Sequence, residues 1–307
     1  MDREIWVLVR KTVKRVCRGF EFYGRQPTFS HQQIMLMYLW SVWQGACLNW
    51  ACDKSHYGDL FRPRQLPSIS QFRRRVAEEV FQSLLLKVHL ALAGVGFSSP
   101  VKYLDGKPQL VSPVSKDPDA RNGHISGGYG KGYKLHAMIS ENRRIVIWSV
   151  MPLNVAEQSV ALEMAAFLEP TPMGLLLADS NYDSAPLHKC LAVSDHRLLT
   201  PLKAQQRVKG GEHHPVTLRQ MGSQRREALE VWKEHKDLAR YVMKARNNAE
   251  GVFSVLSMAL NGGSPPPWVR RLGRVRRWVG TMIILYNARV SVQEKLAANE
   301  IGSPHMN

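Results

Sequence analysis

Apolar positions follow two different rhythms along this chain, and the change comes near residue 100. Residues 1–98 carry helical patterning. The stretch from Ser30 to about Cys52 is apolar almost all round, which predicts a buried helix. It approaches the length of a bilayer span. Ser41, Gln44 and Asn49 interrupt it, and no other segment supports a spanning topology, so a core helix and no membrane partner are expected. The turn-rich DKSHYGDLFRPRQLPSIS follows, and Ser70 is placed to cap a helix that opens QFRRRVAEEVFQSLLLKV.

From residue 101 short apolar runs replace the helical period. VKYLDGKPQLV reads as a strand ending at a turn. KGYKLHAMIS and RIVIWSVMP read as a hairpin pair. VAEQSVALEMAAFL predicts a helix, GLLLAD a short buried strand, SAPLHKCLAV a helix with Pro186 in its first turn, and RLLTPL another strand. Three strands followed by helix–strand–helix–strand predict an α/β fold, a mixed sheet flanked by helices. Residues 203–240 are polar and charged, a modest insertion or a surface helix pair. Helices resume over Tyr241–Leu260, NGGSPPPW breaks the chain, and a last helix runs roughly Val275–Ala298 before a frayed tail at 299–307. The expected division is a helical region over 1–98, a catalytic region over 99–298 and the tail.

Charge narrows the partners. The chain has 307 residues, 42 Lys and Arg against 25 Asp and Glu, and a net charge of +17. Such an excess repels itself in a compact molecule and suits a polyanion, with nucleic acid first and an anionic membrane surface second. Four cysteines in a chain this long exclude a disulfide scaffold. Cys47, Cys52 and His56 lie close in sequence, but no second ligand pair follows, so thiols rather than a zinc site are expected. Charges inside the apolar start of MDREIWVLVRKTVKR argue against a signal peptide, and a cytoplasmic, nucleoid-associated location is expected.

The cations are clustered. Arg10, Lys11, Lys14, Arg15 and Arg18 form a helical stripe suited to phosphate. Arg73, Arg74 and Arg75 open the helix after the turn-rich stretch, either as the reading helix of a helix-turn-helix or as a solvated basic face. Arg270, Arg271 and Arg274 precede the last helix, flanked by Trp268 and Trp278. Those aromatics read as base-stacking groups or, more simply, as helix anchors.

Three acidic residues suggest chemistry. Asp105 closes the first strand in YLDG, Asp179 follows the buried strand in LLLADSNYDS, and Glu250 lies on a helix in RNNAEGVFSVL. A carboxylate after an all-apolar strand is costly unless it lies at the sheet rim or binds a cation. Each alone also reads as a turn or a cap. As a set beside so basic a composition, they suit two hard Mg²⁺ or Mn²⁺ ions, which activate a nucleophile and stabilise the leaving oxygen of a phosphodiester. Arg246 and Glu250 are spaced to share a helix face, so Arg246 would touch DNA, orient Glu250 or pair with it. Lys134 and His136 alternate on one strand face, at the site rim or on a merely polar sheet surface. His213 and His214, in a charged loop, are not expected ligands.

Five blocks in order resemble the DDE transposases of bacterial insertion sequences: YLDGKPQLV with SKDPDARNG, KGYKLHAMIS, MPLNVAEQS, LLLADSNYDS and RNNAEGVFSVL. The resemblance covers roughly residues 65–290. It implies a ribonuclease H-like catalytic domain and a triad of Asp105, Asp179 and Glu250. Two departures stand out. Ser180 and Asn181 replace the usual basic residue and Gly before Tyr182, where Asn still tolerates a left-handed turn. Met243 and Ser257 occupy the Tyr and Lys positions of one subgroup's signature, which leaves the subgroup open. The implied activity is metal-dependent cleavage at element ends and strand transfer into double-stranded target DNA, by a homodimer assembled on DNA. The alternatives are a nuclease of the same fold without strand transfer, and a non-catalytic DNA-binding protein derived from a transposase.

Overall fold

The computed structural model describes residues 1–20, 27–201, 222–260 and 262–301. His213 and His214 lie outside the described residues. The chain forms two compact units, residues 1–94 together with those from Val255 on, and Val95–Ser254. The long C-terminal helix thus groups with the N-terminal helices rather than with the sheet.

The first unit is helical. In α1 (Asp2–Arg18) the residues Ile5, Trp6, Val9, Thr12 and Val13 recur at helical spacing and are buried, while Arg10, Lys11, Lys14, Arg15 and Arg18 stay exposed. Trp6 is fully buried against Trp40, Trp43 and Phe61, with ring centroids 4.9, 5.5 and 5.5 Å away. In α2 (His31–Trp43), capped by Ser30, every residue from Ile34 to Val42 is buried. This helix ends about ten residues before the expected Cys52, because Gly45 takes φ +65° and turns the chain. Two single turns follow, at Trp50–Cys52 and Lys54–His56. His56 stacks on Trp50 at 4.3 Å, and the Cys52 thiol points to the Leu48 carbonyl, 3.7 Å away.

The helix expected after Ser70 is in fact two. The Ser68 side chain caps α3 (Ile69–Ala77) in a reciprocal capping box with Gln71. Glu78 then adopts extended backbone (ψ 145°), and α4 (Glu79–Ala93) starts afresh. The stretch Glu79–Gly96 is apolar and long enough to cross a bilayer. Within it Phe81, Leu84, Leu85, Val88 and Leu92 are buried, and α4 packs with α1 and the C-terminal helix.

The second unit is built on a mixed sheet. Its strands are β1 (Val101–Leu110), β2 (Arg121–Ile125), β3 (Gly128–Ser140), β4 (Ile145–Pro152), β5 (Gly174–Ala178) and β6 (His196–Leu199), in the order β2-β3-β1-β5-β6 with β4 also on β3. The β1–β3, β2–β3 and β3–β4 pairs are antiparallel. The β1–β5 and β5–β6 pairs are parallel. β2 is a strand that the apolar pattern does not predict, since RNGHI has little apolar content. Helices α5 (Glu157–Ala165) and α6 (Ala185–Val193) supply the crossovers that parallel pairing requires. After residue 221 come α7 (Ser223–Glu234), α8 (Lys236–Lys244) and α9 (Asn247–Met258), then α10 (Leu272–Ile301).

Candidate active site

The parallel register fixes two of the three expected carboxylates. Val101 to Leu104 pair with Leu175 to Ala178, so the next residues on the two neighbouring strands are Asp105 and Asp179. Ends of adjacent parallel strands emerge at one sheet edge, where open α/β sheets build their sites. Asp105 is not the end of its strand, as the sequence suggests. β1 runs on to Leu110 in antiparallel pairing with β3, and Asp105 marks the point where the parallel partner departs. β5 leaves through an Asx turn in which the Asn181 N–H donates to Asp179 Oδ1 (2.8 Å) and the Tyr182 N–H to the Asp179 carbonyl (3.2 Å). Asn181 is not left-handed here. The Asp179 side chain closes the turn in place of the positive φ that its sequence suggests.

Asp105 is mostly buried, with its side chain 16% exposed. Its Oδ1 accepts the Gly106 N–H at 2.8 Å, and its Oδ2 lies 3.5 Å from Arg246 Nη1. Burial pushes the carboxyl above its usual value. The Gly106 N–H and the Arg246 charge oppose this, the Asp179 charge adds to it, and Lys134 opposes it.

Beside Asp105 lies a buried polar cluster. Tyr182 is fully buried, and its hydroxyl is 3.0 Å from His136 Nδ1. Burial holds the phenol far above its ordinary value, and Glu157, Asp105 and Asp179 raise it further, so it stays protonated. Burial, helped by the Lys134 charge, drives His136 down to about 3, so its ring is neutral. Lys134 forms an ion pair with Glu157 at the start of α5. Gly106 is required by close approach, because a Cβ there would lie 2.5 Å from Lys134 Cε and 2.7 Å from the Tyr182 hydroxyl.

Glu250 does not join the two aspartates. It is exposed on α9, and among the described residues no three His, Cys, Asp or Glu side chains form a group that could hold a metal. Arg246 is not on a shared helix face with Glu250. It sits in the turn between α8 and α9, and its guanidinium pairs with Asp105. The aspartate pair itself fits a hard divalent cation: two oxygen-donor groups just past the last parallel pair of β1 and β5, one of them desolvated and repelled by the other.

The other expected DNA contacts divide. Arg73, Arg74, Arg270, Arg271 and Arg274 are exposed. Arg73 also donates to Asn49 Oδ1 at 2.9 Å, and Arg270 to the Pro267 carbonyl at 3.0 Å. Arg75 is engaged internally, 3.1 Å from Glu78 and 2.9 Å from His31. His136 offers no surface to a phosphate, since it is fully buried. Lys134 is half-buried against Glu157. Trp278 is buried, as an anchor would be, whereas Trp268 is 49% exposed.

Sequence reasoning missed a second cluster. Asp183 is buried, with Oδ1 3.1 Å from His188 Nε2 and Oδ2 2.5 Å from Arg225 of α7, while Gln158 donates to its carbonyl at 3.0 Å. The signal was present in YDS and AEQS. It needed the spatial meeting of α5, α6 and α7 to acquire meaning.

The transposase DDE domain family matches residues 99–288. No curated protein matches the chain. Members of this family are transposition nucleases that generally work with divalent metal ions, and their catalytic domain is ribonuclease H-like, as the mixed sheet is here. The chain belongs to the DDE transposase family.

Proposed function

We propose that this protein is a DNA transposase that cuts at the ends of an insertion sequence and joins the freed 3′ end to target DNA. The observation that carries the reading is the placement of Asp105 and Asp179 one residue beyond the last parallel pair, Leu104 with Ala178, where β1 and β5 part, in a family-matched chain of net charge +17. Asp105 and Asp179 would hold divalent metal, two Mg²⁺ or Mn²⁺ ions; Glu250, the third carboxylate by family resemblance, stands apart from them, exposed on α9. Such ions supply activation of the attacking oxygen and stabilisation of the leaving one.

The chain's own groups do the positioning. The Gly106 N–H fixes one oxygen of Asp105. The protonated Tyr182 and neutral His136 form an uncharged buried floor beside it, which supplies no counter-charge and leaves the carboxylates to be balanced by cations. The α1 stripe, with Arg73 and Arg74, binds the element end. Arg270, Arg271 and Arg274 hold backbone, and two copies pair the ends on DNA, in the cytoplasm.

Incubating the protein with Mg²⁺, end DNA and a supercoiled plasmid tests this directly. End DNA covalently joined to plasmid is expected. Nicked ends without joined product would make the protein a nuclease only. Binding without nicking would make it a DNA-binding derivative.

A further inference from the structure

Asp105 and Asp179 place two like charges side by side where β1 and β5 part, and something must balance them before any metal arrives. The lysine whose charge acts on Asp105, Lys134, is already paired with Glu157. Arg246 takes the role. Its Nη1 lies 3.5 Å from Asp105 Oδ2, with the two side chains only 22% and 16% exposed. Oδ1 meanwhile accepts the Gly106 N–H. The oxygen turned away from that backbone bond is thus the one the guanidinium covers.

Two features mark the contact as exchangeable. It is one-pronged and longer than the roughly 2.7–2.9 Å of a well-made charge-assisted bond, so it lacks the bidentate grip that Arg and carboxylate can form. Arg246 also sits on the short turn between α8 and α9 rather than on the sheet, so it can withdraw without disturbing β1. A divalent ion at Oδ2 and a guanidinium at the same oxygen repel each other, and one must leave.

We propose that Arg246 is a tethered counter-ion that competes with the divalent metal for Asp105, so that metal entry releases its guanidinium. This rests on the reading of Asp105 as a metal-binding carboxylate. A planar fork freed beside the site is suited to a phosphodiester, which couples loading of the site to capture of its substrate.

The test is Mn²⁺ binding to the DNA-free full chain, followed by electron paramagnetic resonance and calorimetry. Arg246→Gln is expected to bind Mn²⁺ about tenfold more tightly or better at low ionic strength. Arg246→Lys, which keeps the charge, is expected to stay within a few-fold of the parent. Asp105→Asn is expected to lose the site. Unchanged or weaker Mn²⁺ binding by Arg246→Gln, with Asp105→Asn still defective, would overturn the counter-ion role and leave the metal reading standing. Parent-like binding by Asp105→Asn would overturn both.

Discussion

The residue that shows most clearly how this site treats charge is His136. Its ring is fully buried, Nδ1 meets the Tyr182 hydroxyl, and Nε2 has no hydrogen-bond partner among the described residues. Burial first and the Lys134 charge second lower its folded value to about 3, whereas an unfolded His titrates near 6.5. Between those values the unfolded chain binds the proton and the folded chain does not. Stability therefore falls as pH drops below about 6.5, with a limiting slope of about 1.4 kcal/mol per pH unit from this one group. Urea unfolding between pH 6.5 and 5 should show that slope flattened in His136→Gln. An unchanged slope would mean that the ring is protonated in the fold. The same residue shows why its role was not legible in the sequence. Alternation with Lys134 correctly puts both on one face of β3, but a strand pattern does not say that Tyr182 and Gly106 seal that face.

Among the elements, α7 is tied to α6 through a buried carboxylate. Asp183 receives Arg225 from α7 and His188 from α6, and Trp232 of α7 donates to the Thr200 carbonyl after β6 (2.8 Å). Burial pushes the Asp183 carboxyl up. The bonds from His188 and Arg225 outweigh it, and the net value lies below the usual one. A depressed folded value means that the stabilisation is complete above the ordinary carboxylate value of about 3.9 and is lost as pH falls through the lower one. Asp183→Asn leaves the Arg225 guanidinium without its buried partner, at a cost of about 3 kcal/mol. Amide exchange in Ser223–Glu234 should accelerate in that variant. Protection equal to the parent would show that the other ties, Trp232 to the Thr200 carbonyl and Glu227 to Arg197, suffice to secure the helix.

The element scale is also where periodicity served best and failed most instructively. β1, β3, β4, β5 and β6 follow from their apolar runs, and α10 starts only three residues before its expected first turn. The break at Glu78 was hidden, because EEVFQSLLL continues a helical period without a Gly or Pro to announce the stop. β2 was hidden for the opposite reason: its pairing with β3 comes from backbone bonds and not from apolar alternation. Asp105 and Asp179 were legible because each follows an apolar run. Their adjacency came from strand register, and the Arg246–Asp105 pair from the turn between α8 and α9; local sequence displays neither.

Over the whole molecule the excess of cations is the dominant physical fact. α1 keeps Arg10, Lys11, Lys14, Arg15 and Arg18 exposed while its opposite face is buried. DNA affinity should therefore fall steeply with salt, with a log–log slope of about −0.9 per phosphate neutralised. Replacing Lys11, Lys14 and Arg18 by Ala should flatten that slope by up to about three such increments, as read from fluorescence anisotropy titrations. A slope that does not change would move the footprint off α1.

Cleavage of an end-bearing duplex in Mg²⁺, measured beside DNA binding in the same samples, bears most directly on the chemistry assigned to Asp105 and Asp179. Asp105→Asn and Asp179→Asn should each abolish cutting while binding the duplex as tightly as the parent. Full cutting by either variant would contradict the assignment of that carboxylate to the reaction.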